Sequence, residues 1–277
     1  MKKVSLAFLV LWLSIAAVGC GVNKSNNSSR VDQGQNNTSG KGAQTALEAV
    51  KASGKLRIGT EGTYAPFTFH DKAGKLTGFD VEIAEEISKR IGVQPEFVES
   101  GWDSLIAGLD AKRFDAVFNE VSITEERKAK YAFSDPYIVS KAVLIVRQDN
   151  TNIKKFADLK GKKAGQSLTS NLTKIAKENG AQIVAIEGFN QAIDLLTSNR
   201  IDATVNDGLS FLDLKKQKPD APIKVVDTSS AASQSAGLFN KGANDLVTAA
   251  NKALADMKSD GTYLKISQKY FGEDVSK

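Results

Sequence analysis

The chain has 277 residues, 41% of them hydrophobic, and a formal charge of +5 that falls to +3 without Lys2 and Lys3. This length suits one large domain or two lobes of ordinary size with a proper core. A single His and a single Cys exclude His-rich or Cys-rich metal sites and an internal disulfide, and charge spread along the chain does not point to nucleic acid.

The N-terminus reads as a secretion signal. Lys2 and Lys3 are followed by an apolar run over 4–18, 15 residues long and too short to span a bilayer comfortably. The run ends at Ala17-Val18-Gly19-Cys20, which resembles a bacterial lipobox. A leader over 1–19 and lipidation of Cys20 are therefore expected; an ordinary signal peptide cut near Gly19 is the alternative. Two acyl chains on Cys20 would anchor stably where one would not. Residues 21–45 are rich in Asn, Ser, Gly and Gln, with little to bury, and read as a disordered tether.

The folded part alternates strands and helices. Residues 56–59 form a strand, followed by a loop over 60–69 with turn signals at Gly62 and Pro66. A helix over 78–91 keeps Ile83, Ala84, Ile87 and Ile91 on one face. A strand over 95–99, a helix over 102–112 and a strand over 115–118 complete a βαβαβ order, which argues for a parallel sheet covered by helices. The apolar strand 141–146 should cross into a second lobe. There the alternation repeats, with strands over 163–166, 183–186, 203–205 and 223–226 and helices over 171–178, 189–199 and 208–217. Residues 229–235 should cross back, and helices over 244–258 and 262–270 should finish the first lobe. The expected division is 46–142 and 233–277 for lobe one and 143–232 for lobe two.

The halves echo each other. Arg113-Phe114-Asp115-Ala116-Val117-Phe118-Asn119 resembles Arg200-Ile201-Asp202-Ala203-Thr204-Val205-Asn206, and each follows an amphipathic helix. Open α/β sheets bind ligands at the carboxyl ends of their strands. Asn119/Glu120 and Asn206/Asp207 should therefore face one cleft. Between them, Ser122-Ile123-Thr124-Glu125 fits a capping box, so a helix should begin there with Arg127 in its first turn. A cation is misplaced at that end of a helix dipole, and a bound carboxylate would suit its guanidinium. A surface Arg paired with Glu125 or Glu126 is the plainer alternative.

The S-I-T-E-x-R…F-S-x-P-Y pattern over 122–137 resembles the extracytoplasmic amino-acid-binding proteins of ABC importers, solute-binding protein family 3, and the likeness runs from about Gly54 to Gly272. The resemblance implies an α/β, two-lobed periplasmic-binding-protein-like fold (type II), each lobe a mostly parallel sheet flanked by helices. It implies that Arg127 holds the ligand's α-carboxylate, aided by backbone N–H groups near Ser122, and that Asp207 holds the ammonium. Asp207 also suits the cap of the next helix, as does Ser170, which with Thr169 sits where the second lobe meets ligand in relatives. Tyr64 and Trp102 match positions that clamp the ligand's side chain; Phe69 lines the same pocket or belongs to the core. Glu61 matches a position that contacts basic side chains in some relatives, and is otherwise solvated.

The stretches Glu99-Ser100-Gly101-Trp102 and Phe118-Asn119-Glu120-Val121 look most like the L-cystine-binding branch. The implied protein is a monomer without cofactor, anchored outside the cytoplasm by its lipid, closing on a free amino acid and handing it to a membrane permease. Another polar or basic amino acid is the alternative ligand. A dehydratase of the same fold is the enzymatic rival, but the sequence has no Cys/His or Ser/His pair to match it and the lone His70 lies in a polar turn. A scaffold that does not use the cleft is a further rival.

Overall fold

The structure is a computed structural model that describes residues 44–277. The expected leader, Cys20 and all but the end of the tether lie outside the described residues. The described chain opens with helix α1, Ala46–Ser53, in a capping box between Thr45 and Glu48, and stops at Gly54 in the left-handed conformation. Strands β1 (Lys55–Thr60), β2 (Thr63–Tyr64), β3 (Thr68–His70) and β4 (Leu76–Thr77) precede helix α2 (Phe79–Ile91). Then come β5 (Gln94–Glu99), α3 (Trp102–Asp110), β6 (Ala116–Val117), α4 (Glu125–Lys130), β7 (Tyr131–Phe133) and β8 (Ile138–Ser140). The middle of the chain runs β9 (Ala142–Arg147), β10 (Lys163–Gln166), α5 (Asn171–Glu178), β11 (Gln182–Ala185), α6 (Phe189–Thr197), β12 (Ala203–Asp207) and α7 (Gly208–Gln217). It closes with β13 (Ile223–Thr228), β14 (Ser233–Ser235), β15 (Leu238–Asn240), α8 (Asn244–Ser259) and α9 (Thr262–Phe271).

These strands build two five-stranded sheets, ordered β5-β1-β6-β15-β7 and β11-β10-β12-β9-β13. Each has a parallel heart: β1 pairs with β5 and β6, and β10 with β11 and β12. The heart of the first sheet is the βαβαβ unit read from the sequence. Each sheet also carries antiparallel strands, β15 and β7 in the first and β9 and β13 in the second. Leu56 and Ile58 of β1 bury fully against Ile83, Ala84 and Ile87 of α2 and against α8. Each buried aliphatic side chain of this kind contributes about 1.5–3 kcal/mol. Ala142 to Val146 of β9 are all buried, as befits a strand covered on both faces. Gly59 and Gly108 exist for close approach: a Cβ at either would sit 2.6 or 2.5 Å from the Phe114 ring.

The chain passes between the sheets twice, through β8 and through β14, and these two segments pair antiparallel side by side. Sequence periodicity could not find them, because a three-residue strand holds no pattern to read. The loop expected over 60–69 is instead partly pleated, as β2 and β3 pair with β4 in a three-stranded sheet. The helix expected to start at Ser122 starts later. Thr124 is its cap, accepting the Arg127 backbone N–H at 3.2 Å, whereas Ser122 bridges to Ser235 beside the crossing strands. In so short a helix Arg127 belongs to the last turn as much as to the first, so the dipole does not mark it as misplaced and that expectation is not met.

Candidate functional site

The carboxyl ends of β1, β6, β10 and β12 converge on a narrow cleft lined by Glu61, Tyr64, Trp102, Glu120, Ser170, Asn206 and others. The cleft is drawn shut by hydrogen bonds between elements of the two sheets. The Tyr64 hydroxyl donates to Asn206 Oδ1 at 2.8 Å, and Ser210 Oγ to the Ala65 carbonyl at 2.8 Å. Asp103, at the start of α3, accepts from the Thr169 backbone N–H and hydroxyl at 2.9 and 2.7 Å, and from the Leu168 N–H at 3.2 Å. As an acid in a first helical turn, Asp103 carries no signal in the sequence; nothing local distinguishes a latch from an ordinary dipole partner.

Arg127 is buried and lines an adjoining cavity with Tyr131, Thr169 and Ser170, meeting the cleft through Trp102, on which its guanidinium stacks with Cζ 5.3 Å from the ring centroid. Its Nη1 donates to the Ser122 carbonyl at 2.9 Å and its Nη2 to the Thr169 carbonyl at 3.4 Å. Burial pulls its pKa down, and nearby Glu120 opposes that shift. A buried cation whose hydrogen bonds go to neutral carbonyls retains charge for an anion.

Two acids lie close to each other, and one of them, Glu120, lies close to Arg127. Glu120 is 7% exposed, holds φ +51°, and accepts from the Ser235 hydroxyl at 2.9 Å. Its backbone N–H donates to fully buried Asp80, which fixes this left-handed turn. Burial and then Asp207 push the Glu120 carboxyl well above the usual carboxylate range. Asp207, 3% exposed, is pushed up to about 6, chiefly by burial. It caps α7 through the Leu209 N–H at 2.8 Å and accepts from the Ser140 hydroxyl on a crossing strand. Asp207 thus stands behind Asn206 rather than on the cleft wall.

Glu61, on the wall, is pushed up to about 7 by burial, while Asn119 Nδ2 donates to it at 2.5 Å and the Trp102 backbone N–H also donates. Asn119 is fully buried and holds Thr60 and Glu61, so it braces the wall instead of forming it. Ser170 both caps α5 through the Leu172 N–H at 3.2 Å and lines the cleft; Thr169 is exposed and lines the adjoining cavity with Arg127. Phe69 is not brought to the cleft: it is half-buried, its ring meets Tyr270 edge-on at 6.5 Å, and it lines a separate surface cavity, so it joins neither the pocket nor the buried core. Two wall residues escape sequence reading, Gln166 and Phe189, because a strand end and a helix start look alike wherever they face. Among the described residues no group of His, Cys, Asp and Glu is arranged to hold a metal ion.

The model for bacterial extracellular solute-binding proteins, family 3, matches residues 56–273. The chain is 43% identical to the L-cystine-binding protein TcyA of Bacillus subtilis, with 100% of both chains covered. It resembles the L-cystine solute receptor of Neisseria gonorrhoeae in its unliganded open conformation, at 44% identity over 84% of this chain and 99% of that one, with TM-score 0.56. An ancestral arginine-binding protein bound to glutamine is 40% identical over 79% of this chain and 99% of that one, yet superposes better, with TM-score 0.76. The poorer fit to a more similar but open relative accords with the shut cleft seen here. Cleft, match and relatives agree, and the chain belongs to the bacterial extracellular solute-binding proteins, family 3.

Proposed function

We propose that this protein captures free L-cystine, or a related sulfur amino acid, and delivers it to the membrane permease of an ABC importer. The observation that carries the amino-acid reading is a shut cleft whose Trp102 wall is backed by one buried guanidinium, Arg127, and which also holds two neighbouring buried carboxyls, Glu120 on the wall and Asp207 beside it. That arrangement complements a zwitterion: Arg127 takes the α-carboxylate, and the ammonium goes to Glu120 on the wall, with Asp207 close behind it. Tyr64 and Trp102 flank the side chain, where sulfur packs well on aromatic rings. Ser170 and Thr169 close the second wall. Opening and closing turn on the paired crossing strands β8 and β14, and closure excludes water from the charged contacts. The permease then takes the closed form.

The sulfur assignment is supported by the full-length likeness to a protein named for L-cystine. The role is binding without catalysis, which accords with relatives named as binding proteins. A thermal-shift panel tests the ligand. Cystine at about 100 times its Kd should add about 2.7 kcal/mol of stability. Stabilisation by arginine or glutamine and not by cystine would overturn the sulfur assignment.

We place the protein outside the cytoplasm, tethered through a diacylglyceryl Cys20. Radiolabelled palmitate should enter the wild type and be absent from Cys20→Ala; label retained by the variant would defeat the anchor.

A further inference from the structure

Among the described residues three buried side-chain polar atoms lack a hydrogen-bond partner: Asp80 Oδ1, the Tyr137 hydroxyl and Trp102 Nε1. Trp102 is the one of these three residues that lines the cleft. An indole N–H can only donate, and a buried donor without an acceptor is disfavoured. Its setting is rigid. Trp102 is the first residue of α3, its backbone N–H is tied to Glu61, the Arg127 guanidinium covers a ring face, and the residue is 8% exposed. The donor is therefore held in place before any ligand arrives.

Geometry separates this donor from the carboxylate site. The Arg127 guanidinium lies over the ring face, whereas the indole N–H lies in the ring plane. Glu61, the nearest acid tied to this residue, already accepts from the Trp102 backbone and from Asn119. We infer that the Trp102 indole N–H is a specificity-determining donor that takes a carboxylate oxygen on the far half of the ligand. It would make the cleft favour a disulfide amino acid with a second carboxylate over one whose side chain ends in an alkyl group. This rests on the cystine reading and adds a named atom to it.

The test is calorimetry on wild type and Trp102→Phe with two ligands. One is L-cystine. The other is the mixed disulfide of L-cysteine and methanethiol, which keeps the α-carboxylate, ammonium and disulfide but lacks the far carboxylate. Trp102→Phe should weaken cystine about tenfold or more and the mixed disulfide by less than about threefold. A second variant, 3-benzothienylalanine at position 102, replaces the N–H with sulfur, keeps the ring area, and should show the same contrast. Equal losses for both ligands, or no loss for cystine, would overturn the inference and reduce Trp102 to an apolar wall. A wild type that binds neither compound would instead remove the cystine reading, and the donor's role with it.

Discussion

Arg127→Ala should lower affinity for the amino-acid ligand by about 2–5 kcal/mol, a loss of roughly thirtyfold to several thousandfold. Two causes add. The ligand's carboxylate loses its charged partner, and closure would then bury that carboxylate unpaired beside Glu120, a carboxyl that burial already disfavours as an anion. Arg127→Lys keeps the charge but loses the planar fork and the stacking on Trp102, so it should fall between wild type and Ala. Calorimetry on the three proteins decides. Unchanged affinity in Arg127→Ala would remove the carboxylate assignment and return the side chain to a structural role between Ser122 and Thr169.

The second large effect is on the empty protein. Shutting the cleft without ligand brings Glu120 and Asp207 together with no ammonium between them. Glu120 also faces Asp80 from α2, Ser235 from β14 and Tyr64 from β2, with Arg127 as the opposing cation. Burial raises Asp207 from 3.8 to about 6 in the shut form and Glu120 further above its usual range. By linkage, carboxyls whose shut-form pKa is raised stabilise that form when protonated. Their contribution is complete below their open-form values and is lost as pH rises through about 6 for Asp207, and later for Glu120.

The ligand-free protein should therefore show a smaller radius of gyration by X-ray scattering at about pH 5 than at about pH 8. Glu120→Gln should already be compact at about pH 8, since one of the two charges is gone. Ligand supplies the missing cation, so the bound protein should stay compact across that range. A radius that does not change with pH in the ligand-free wild type would contradict this role for the acid pair.

Much of the fold is legible in the sequence alone. The helix over 208–217 and the strand over 163–166 carry enough pattern to fix both ends, and the structure places α7 and β10 on those residues. The echo of 113–119 in 200–206 finds the two strands whose ends meet at the cleft, because each sheet needs the same helix-to-strand step. What stays hidden depends on contacts between distant residues. β8 and β14 exist only because each is the other's partner, and 93 residues separate Ser140 from Ser233. The Ser122 cap gives way to Thr124 because Ser122 is engaged by Ser235, far along the chain. At the site, residue type tells which chemistry is present but not which side chain faces inward. Asn119 and Asp207 brace from behind while Glu120 and Asn206 form the wall; the left-handed turn at Glu120, which no sequence pattern marks, sets which of Asn119 and Glu120 faces inward.

A calorimetric titration of the refolded, ligand-stripped protein with L-cystine, run beside arginine, glutamine and glutamate, tests the proposed function at its root. Tight heat for cystine alone is the predicted result. Binding of another of these amino acids in its place would keep the importer reading and discard the sulfur ligand. No heat from any of them would contradict the reading of the Arg127 and Asp207 cleft as a trap for a free amino acid.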